Sequence, residues 1–409
     1  MKVFRLCAVI TLALFSSSEL LAQTGNFFQL MENAVHAAPS VQSAKVDIDR
    51  AQETAAALEA GPYEFEVFLS GGRRDINDPL AGPNEFSEWE AGFSRTIRLP
   101  GKRSADHELA DLKVEFAQTK YEKVLKDELL TFIEYWNSWS RLAMLSGVLE
   151  EQLADAKKLA ELEQKQVDDG AGRQINADQL SLEAELVYLE VEQSRLARIN
   201  ARSALETAYP NVIFSVNPLG FDLSSVSKQI TEDQVLQPEQ RLAGIASMQA
   251  RYSAIRARQN RMPDPTFQLS YTDEFDGLEN SIMATISMPI GGKARASAYR
   301  EAEAYSRMKV LDLERAQKRA NQNFYSSRQG YLFAIENMER AEKSLDMSRA
   351  VLDRIDQGYR IGSMTLIDLI AARRSHRQTE LYIIEQTANA ELAAMKFWVL
   401  SANPFYPNN

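Results

Sequence analysis

The chain has 409 residues and a formal charge of −11 at pH 7. That acidic balance excludes nucleic acid and an anionic lipid surface as general partners; it fits either a wall that favours cations or ordinary solvated helix faces. Its one cysteine, Cys7, excludes a disulfide and a thiolate metal site.

Residues 1–22 read as a secretory leader. Lys2 and Arg5 precede the apolar run Leu6–Phe15, and Ala22 stands before the expected cut. Cys7 lies inside this leader, so the mature chain has no N-terminal cysteine to carry a lipid. No later run reaches the roughly 18 apolar residues of a transmembrane helix, which leaves a soluble protein or an outer-membrane β-barrel.

Asn26–Ala60 is expected to be a helix. Leu30, Ala34, Ala37, Val41, Ala44, Ile48 and Ala51 recur at three and four, and Gly61-Pro62 ends it. The period then switches to two over 63–71: Tyr63, Phe65, Val67 and Leu69 share one face, Glu64, Glu66 and Phe68 the other. Residues 73–87 read as a turn-rich loop. A second strand over 88–98 sets Trp89, Ala91, Phe93 and Ile97 against Glu90, Gly92, Ser94, Thr96 and Arg98. Such a pair fits transmembrane barrel strands and equally a half-buried soluble hairpin.

Leu99-Pro100-Gly101-Lys102-Arg103 breaks the strand and opens a helix running to about Val167. Its Leu142, Leu145, Leu149, Leu153, Ala156 and Leu159 approximate a coiled-coil seam, and Trp136 and Trp139 read as core. Asp168–Leu180, DDGAGRQINADQL, reverses the chain through Gly170, Gly172 and Arg173. The helix Gln174–Tyr209 follows, with Leu182, Leu186, Leu189, Leu196 and Ile199 on its stripe.

Residues 210–230, with Pro210, Pro218 and Gly220, divide two repeats. The second repeat follows the same order: a helix over 231–262, capped at Thr231-Glu232-Asp233, then strands over 266–272 and 280–288 around an acidic turn. The junction Pro289-Ile290-Gly291-Gly292-Lys293 answers the first, and a helix runs over about 294–357. The reversal Asp356–Ile370, DQGYRIGSMTLIDLI, carries Gly358 and Gly362; a last helix spans 365–400. The chain thus divides into a leader (1–22), a first repeat (23–209), an equatorial segment (210–230), a second repeat (231–402) and a tail (403–409). Internal duplication of this kind sets the fold.

Length supports one architecture. At about 1.5 Å per residue each long helix spans roughly 100 Å, which two shorter helices can match end to end. Four strands cannot close a barrel, and an open edge cannot face lipid. Pooling about three chains would give about twelve strands, within the range of outer-membrane barrels.

The duplicated order of elements, the two strand-to-helix junctions and the reversal Gly358-Tyr359-Arg360-Ile361-Gly362 resemble the TolC family of outer-membrane efflux channels, over essentially the whole mature chain. The first junction, the modest length and the lack of large insertions look most like its heavy-metal branch. The resemblance implies a mainly α fold with a small β part: a homotrimer whose 12-stranded β-barrel in outer-membrane lipid continues into a periplasmic α-helical barrel. It implies a passive exit duct for metal cations or small toxic compounds, working with a periplasmic adaptor and an inner-membrane resistance-nodulation-division pump. The helix reversals would form the periplasmic gate. There Tyr359 matches a latching tyrosine, Asp178 its acidic partner and Asp368 an acidic ring. Met364 stands where the family has a latch arginine, and Ala371 where it has a second acidic ring. On spacing alone, Asp368 is an exposed carboxylate in a first helical turn. As a ring of three it would favour cations, and mutual repulsion would raise its pKa. A type I protein-secretion duct shares this fold; a periplasmic coiled-coil adaptor would need a lipoyl-like or β-barrel domain that the sequence lacks.

Nothing points to catalysis, a cofactor or a bound metal. His36, His107 and His376 lack ligand spacing, and Gly291-Gly292-Lys293 lacks the phosphate-loop pattern. No carboxylates form a convincing acid/base pair.

Overall fold

The computed structural model describes residues 17–78, 82–210, 223, 226, 230 and 236–401. Among these, the elements run α1 (Ser17–Ala37), α2 (Pro39–Ala60), β1 (Phe65–Asp78), β2 (Gly82–Thr96), α3 (Pro100–Asp168), α4 (Gln174–Ala208), α5 (Pro238–Gln259), β3 (Thr266–Glu274), β4 (Glu279–Ser287), α6 (Lys293–Arg360) and α7 (Leu366–Ser401). No helix among the described residues is long and apolar enough to cross a membrane.

The chain forms two compact units. One comprises 43–123 and 238–319; the other comprises residues up to 42, 124–237 and from 320 onward. Each therefore draws on both repeats, and α3 and α6 contribute to both.

The first unit holds a four-stranded antiparallel sheet in the order β1-β2-β3-β4. Its pairings run without a bulge, from Phe65 opposite Arg95 to Asp78 opposite Gly82 in the first hairpin and from Thr266 opposite Ser287 to Glu274 opposite Glu279 in the second. Thr96 opposite Thr266 joins the hairpins. Strands β1 and β4 are free edges.

The second unit packs α1, α4, α7 and the later parts of α3 and α6 around aromatic side chains. Phe27 lies 5.0 Å from Trp136, Trp136 lies 5.1 Å from Trp139, and Phe132 meets Tyr209 edge-on at 5.1 Å. Trp136 and Trp139 are buried core residues, as their spacing implied.

Several boundaries differ from the expected ones. The helix expected over 26–60 is two helices, broken at Ala38 because Pro39 has no N–H to continue the ladder; the Ala38 amide bonds Val35 O instead. The first unit of that helix begins at Ser17, inside the expected leader, whose residues 1–16 lie outside the description. The strands expected over 63–71 and 88–98 extend through the supposed loop, because pairing continues where both faces turn polar and alternation no longer marks it. The strands expected over 266–272 and 280–288 run Thr266–Glu274 and Glu279–Ser287. The helix expected over 231–262 is described from Pro238, whose fixed φ suits a first helical position, to Gln259. The cap at 231–233, most of 210–230 and the tail 403–409 lie outside the described residues.

Candidate functional site

The sheet separates its side chains by chemistry. One face carries the rows Phe65·Arg95·Phe267·Ile286, Val67·Phe93·Leu269·Ala284 and Leu69·Ala91·Tyr271·Ile282. This face is not covered within the chain: Val67 is 81% exposed, Leu69 78% and Ile282 77%. Aromatic groups mark its borders, with Trp89 packed 5.4 Å from Tyr271 and the Arg95 guanidinium 4.3 Å over the Phe65 ring. The other face reads Glu66·Ser94·Gln268·Thr285, Phe68·Gly92·Ser270·Met283 and Ser70·Glu90·Thr272·Ser281. Gly92 is required there: a Cβ would lie 2.5 Å from the Phe68 ring and 2.6 Å from Leu269 O.

At the turn end of this polar face, Arg74 binds Glu88 at 2.8 Å and Glu274 at 3.5 Å and stacks 4.8 Å over Phe275. Phe275 and Asp276 hold left-handed φ values of 54° and 55°. The Ser87 amide donates to Asp276 Oδ1 at 2.8 Å, pinning the β3–β4 turn to β2.

Where β2 passes into α3 the chain buries charge. Lys102, 2% exposed, reaches Asp264 Oδ1 at 2.9 Å; Arg98 bonds Asp264 Oδ2 at 3.2 Å and Asp106 Oδ2 at 2.7 Å. Arg256 binds Asp106 Oδ1 at 2.7 Å, Tyr63 donates to Asp264 at 3.0 Å and the Leu99 amide donates at 3.1 Å. Burial pushes the Asp264 carboxyl up, but Lys102, the Leu99 amide and Tyr63 outweigh it and leave it below the usual range. Of the expected junction residues, Pro100 starts α3 and Gly101 faces the Gln259 amide. Gly291 passes so close to Arg261 O that a Cβ would come within 2.8 Å, while Pro289 and Gly292 lie exposed between β4 and α6. Arg98 and Asp264 were not among the candidates; the signal was a lone acid between Pro263 and Pro265 at a strand start.

In the other unit, the two reversals are built bond for bond alike. Ala171 N and Gly172 N donate to Gln166 O at 2.8 Å; Ser363 N and Met364 N donate to Gly358 O at 2.8 and 3.1 Å. Gly170 and Gly362 take φ of 74° and 75°, which glycine alone adopts without strain. The close approach is solved from opposite sides. Gly172 lies against the Gln166–Val167 backbone, whereas Met364 lies against Gly358, where a Cβ would meet Met364 Cγ at 2.5 Å.

Asp368 closes a capping box. Its Oδ2 accepts from the Thr365 amide at 3.0 Å and hydroxyl at 2.7 Å, and its amide donates back to Thr365 Oγ1 at 3.2 Å. These bonds hold its pKa below the usual carboxylate value, first through the Thr365 hydroxyl and then the amide. These bonds act in the direction opposite to the rise expected for a ring of three such carboxylates. Arg173 stands at the N-cap of α4 without a side-chain cap bond.

Tyr359 has a different partner from the expected one. Its hydroxyl donates to Glu163 Oε2 at 3.0 Å, while Asn176 donates to Glu163 Oε1 at 3.3 Å. Asp178 instead accepts from Gln174 one turn earlier. Glu163 is 4% exposed and lies near the C-terminal end of α3, just ahead of the first reversal. Leu180, Leu366 and Leu369 form the apolar cluster beside this bond. Higher up, Arg374 and Arg377 both bind Glu183, tying α7 to α4.

Two histidines have neighbours that spacing did not reveal. Glu59 and Asp111 approach different ring nitrogens of His107, at 2.8 and 4.0 Å, and all three side chains are exposed. His376 bonds Ser348 and faces Glu380.

No protein-family model matches the sequence, and no curated protein matches it. Solved structures do. The outer-membrane channel OprN aligns with a TM-score of 0.77 at 13% identity, over 95% of this chain and 93% of its own. The outer membrane protein VceC from Vibrio cholerae gives 0.71 at 15%, over 92% and 95%, and the CmeC outer membrane channel of Campylobacter jejuni gives 0.72 at 14%, over 92% and 86%. The chain has the TolC-like outer-membrane channel fold, mainly helical with one small antiparallel sheet.

Proposed function

We propose that this protein is a passive exit duct of the outer membrane, assembled from about three copies. One observation carries the reading: a bulge-free sheet with an uncovered apolar face, a polar opposite face and two free edges. Such a sheet is stable in lipid only when its edges are paired and its apolar face meets hydrocarbon. The α4 stripe supports association as well: Leu182, Leu186, Leu189, Leu196 and Ile199 are all exposed in the single chain, while Leu180, Val187 and Val191 form its buried side.

In this reading the helix reversals are the gate and meet a periplasmic adaptor, and an inner-membrane pump supplies the energy. The cargo is metal cations or small toxic compounds. Glu66, Glu88, Glu90, Glu274 and Glu279 on the polar face support passage of cations. Purified protein added to planar bilayers tests the duct: discrete cation-preferring conductance steps are expected, and their absence from a membrane-inserted preparation would overturn it. Metal and dye susceptibility of a deletion strain tests the cargo.

A further inference from the structure

The two hairpins are related residue by residue. The junctions align Gly101-Lys102 with Gly292-Lys293, which sets Arg95 on Ile286 and Thr96 on Ser287. Within the hairpins Phe65 pairs with Arg95 and Phe267 with Ile286, so Phe65 falls on Phe267. The second match keeps an apolar residue on the apolar face, and in the first Ile286 stands on that face where the first hairpin has Arg95. The β2–β3 pairing inside the chain is then a template for the free edges, because β4 and β1 are the repeat counterparts of β2 and β3.

Resting on the duct reading, we infer that β4 of one copy pairs antiparallel with β1 of the next in one register, in which Ile286 faces Phe65, Thr285 faces Glu66, Ala284 faces Val67 and Met283 faces Phe68. Each pair is the image of an observed one: Arg95 with Phe267, Ser94 with Gln268, Phe93 with Leu269 and Gly92 with Ser270. A slip by one residue would turn Val67 and Leu69 to the polar face, so a slip is allowed only in steps of two. Side-chain shape separates those steps. The Phe68 ring leans over Gly92 of its own hairpin and is half-buried, and Met283 is 56% exposed on the same face. The inferred register brings that thioether against that ring, a favourable sulfur–aromatic contact.

The seam between copies differs chemically from the one inside the chain. The inner seam buries Arg98, Lys102, Asp106 and Asp264. Under the same correspondence their counterparts are Pro289, Lys293, Ser297 and Pro62. Only Lys293 keeps a charge, and it is exposed. Copies therefore join through strand hydrogen bonds and side-chain packing, with no buried ion network.

Cysteine pairs test this cleanly, since the only native cysteine is Cys7. At least one of full-length Glu66→Cys/Thr285→Cys and Val67→Cys/Ala284→Cys should give oxidised dimers and trimers on non-reducing gels. Neighbouring antiparallel pairs alternate in geometry, so at least one combination has the close Cβ spacing a disulfide needs. Glu66→Cys/Met283→Cys and Val67→Cys/Ile286→Cys, each displaced by two residues, should cross-link at least tenfold less. Yields should match at low and high salt. Preferential cross-linking of the displaced pairs, or of none, would overturn the register; loss of yield at high salt would overturn the uncharged seam. Conductance measured on the same preparations separates the two readings. Cross-linked trimers without conductance keep the seam and sink the duct, and conducting protein without in-register cross-links does the reverse.

Discussion

The Tyr359 hydroxyl donates to Glu163 Oε2 at 3.0 Å, joining the second reversal to the long helix that precedes the first. Burial, and then Glu163, push the Tyr359 pKa up to about 12, so the phenol remains a donor at any ordinary pH. A hydrogen bond to a charged, covered carboxylate contributes about 1.5–3 kcal/mol. Tyr359→Phe leaves Glu163 with Asn176 alone and should lower thermal stability by about that amount. In bilayers the variant should open more often than wild type. Glu163→Gln should weaken the same contact, and the double variant should lose less than the sum of the two. Additive losses would show that the pair does not act as a unit.

Gly358 and Met364 form a second coupled pair. Alanine at 358 gains roughly 1 kcal/mol of helix propensity over glycine but drives its Cβ into Met364 Cγ. Overpacking of this kind costs about 1–3 kcal/mol. Gly358→Ala alone should therefore lower the melting temperature, and adding Met364→Ala should restore it to wild type or above. The first reversal predicts the rescue, because it places Gly172 where the second has Met364. Failure of Met364→Ala to restore stability would place the strain elsewhere.

Asp264 holds four groups where β2 passes into α3: Lys102, Arg98, the Leu99 amide and Tyr63. Asp264→Ala leaves Lys102 and Arg98 covered and short of a carboxylate, and should cost about 3–5 kcal/mol, the range for breaking a buried pair. The folded-state pKa of Asp264 lies below its unfolded value, so its contribution is present above the unfolded pKa and is lost as pH falls through the folded one. Wild type should lose stability below about pH 4 more steeply than Asp264→Asn. Parallel acid titrations of the two proteins, followed by circular dichroism, read the difference.

Much of this architecture is legible in sequence because strand and helix periods differ. Val67, Phe93, Leu269 and Ala284 fall on one face by alternation alone. Alternation failed over 73–78 and 82–87, where Arg73, Asp75 and Glu85 make both faces polar while the backbone pairing continues. The break at Pro39 was legible from proline chemistry, but a regular run of small residues on either side concealed it. The Leu182–Ile199 stripe was correctly periodic, yet it lies outside the single chain, because periodicity reports an apolar face and not which surface covers it. Tyr359 with Glu163 and Lys102 with Asp264 were beyond reach for a different reason: each joins residues more than 150 positions apart. Only the packed helices bring such groups together.

One pair of substitutions separates the cap that Asp368 closes from the ion selectivity proposed for it. Its carboxylate caps α7 through Thr365, which holds the charged form. Three such carboxylates near a common axis would repel, an effect opposite to the cap, and would favour cations passing between them. Thr365→Ala removes the cap but keeps the charge; it should cost about 1 kcal/mol of helix stability and leave ion selectivity unchanged. Asp368→Asn keeps an oxygen that can accept from Thr365 but removes the charge. It should leave the melting temperature near wild type and reduce cation-over-anion permeability severalfold in bilayers, read from the reversal potential under a salt gradient. Unchanged selectivity in Asp368→Asn would confine Asp368 to its capping role. A selectivity change in Thr365→Ala as large as that in Asp368→Asn would mean that the cap positions the charge, since releasing the side chain would then matter as much as neutralising it.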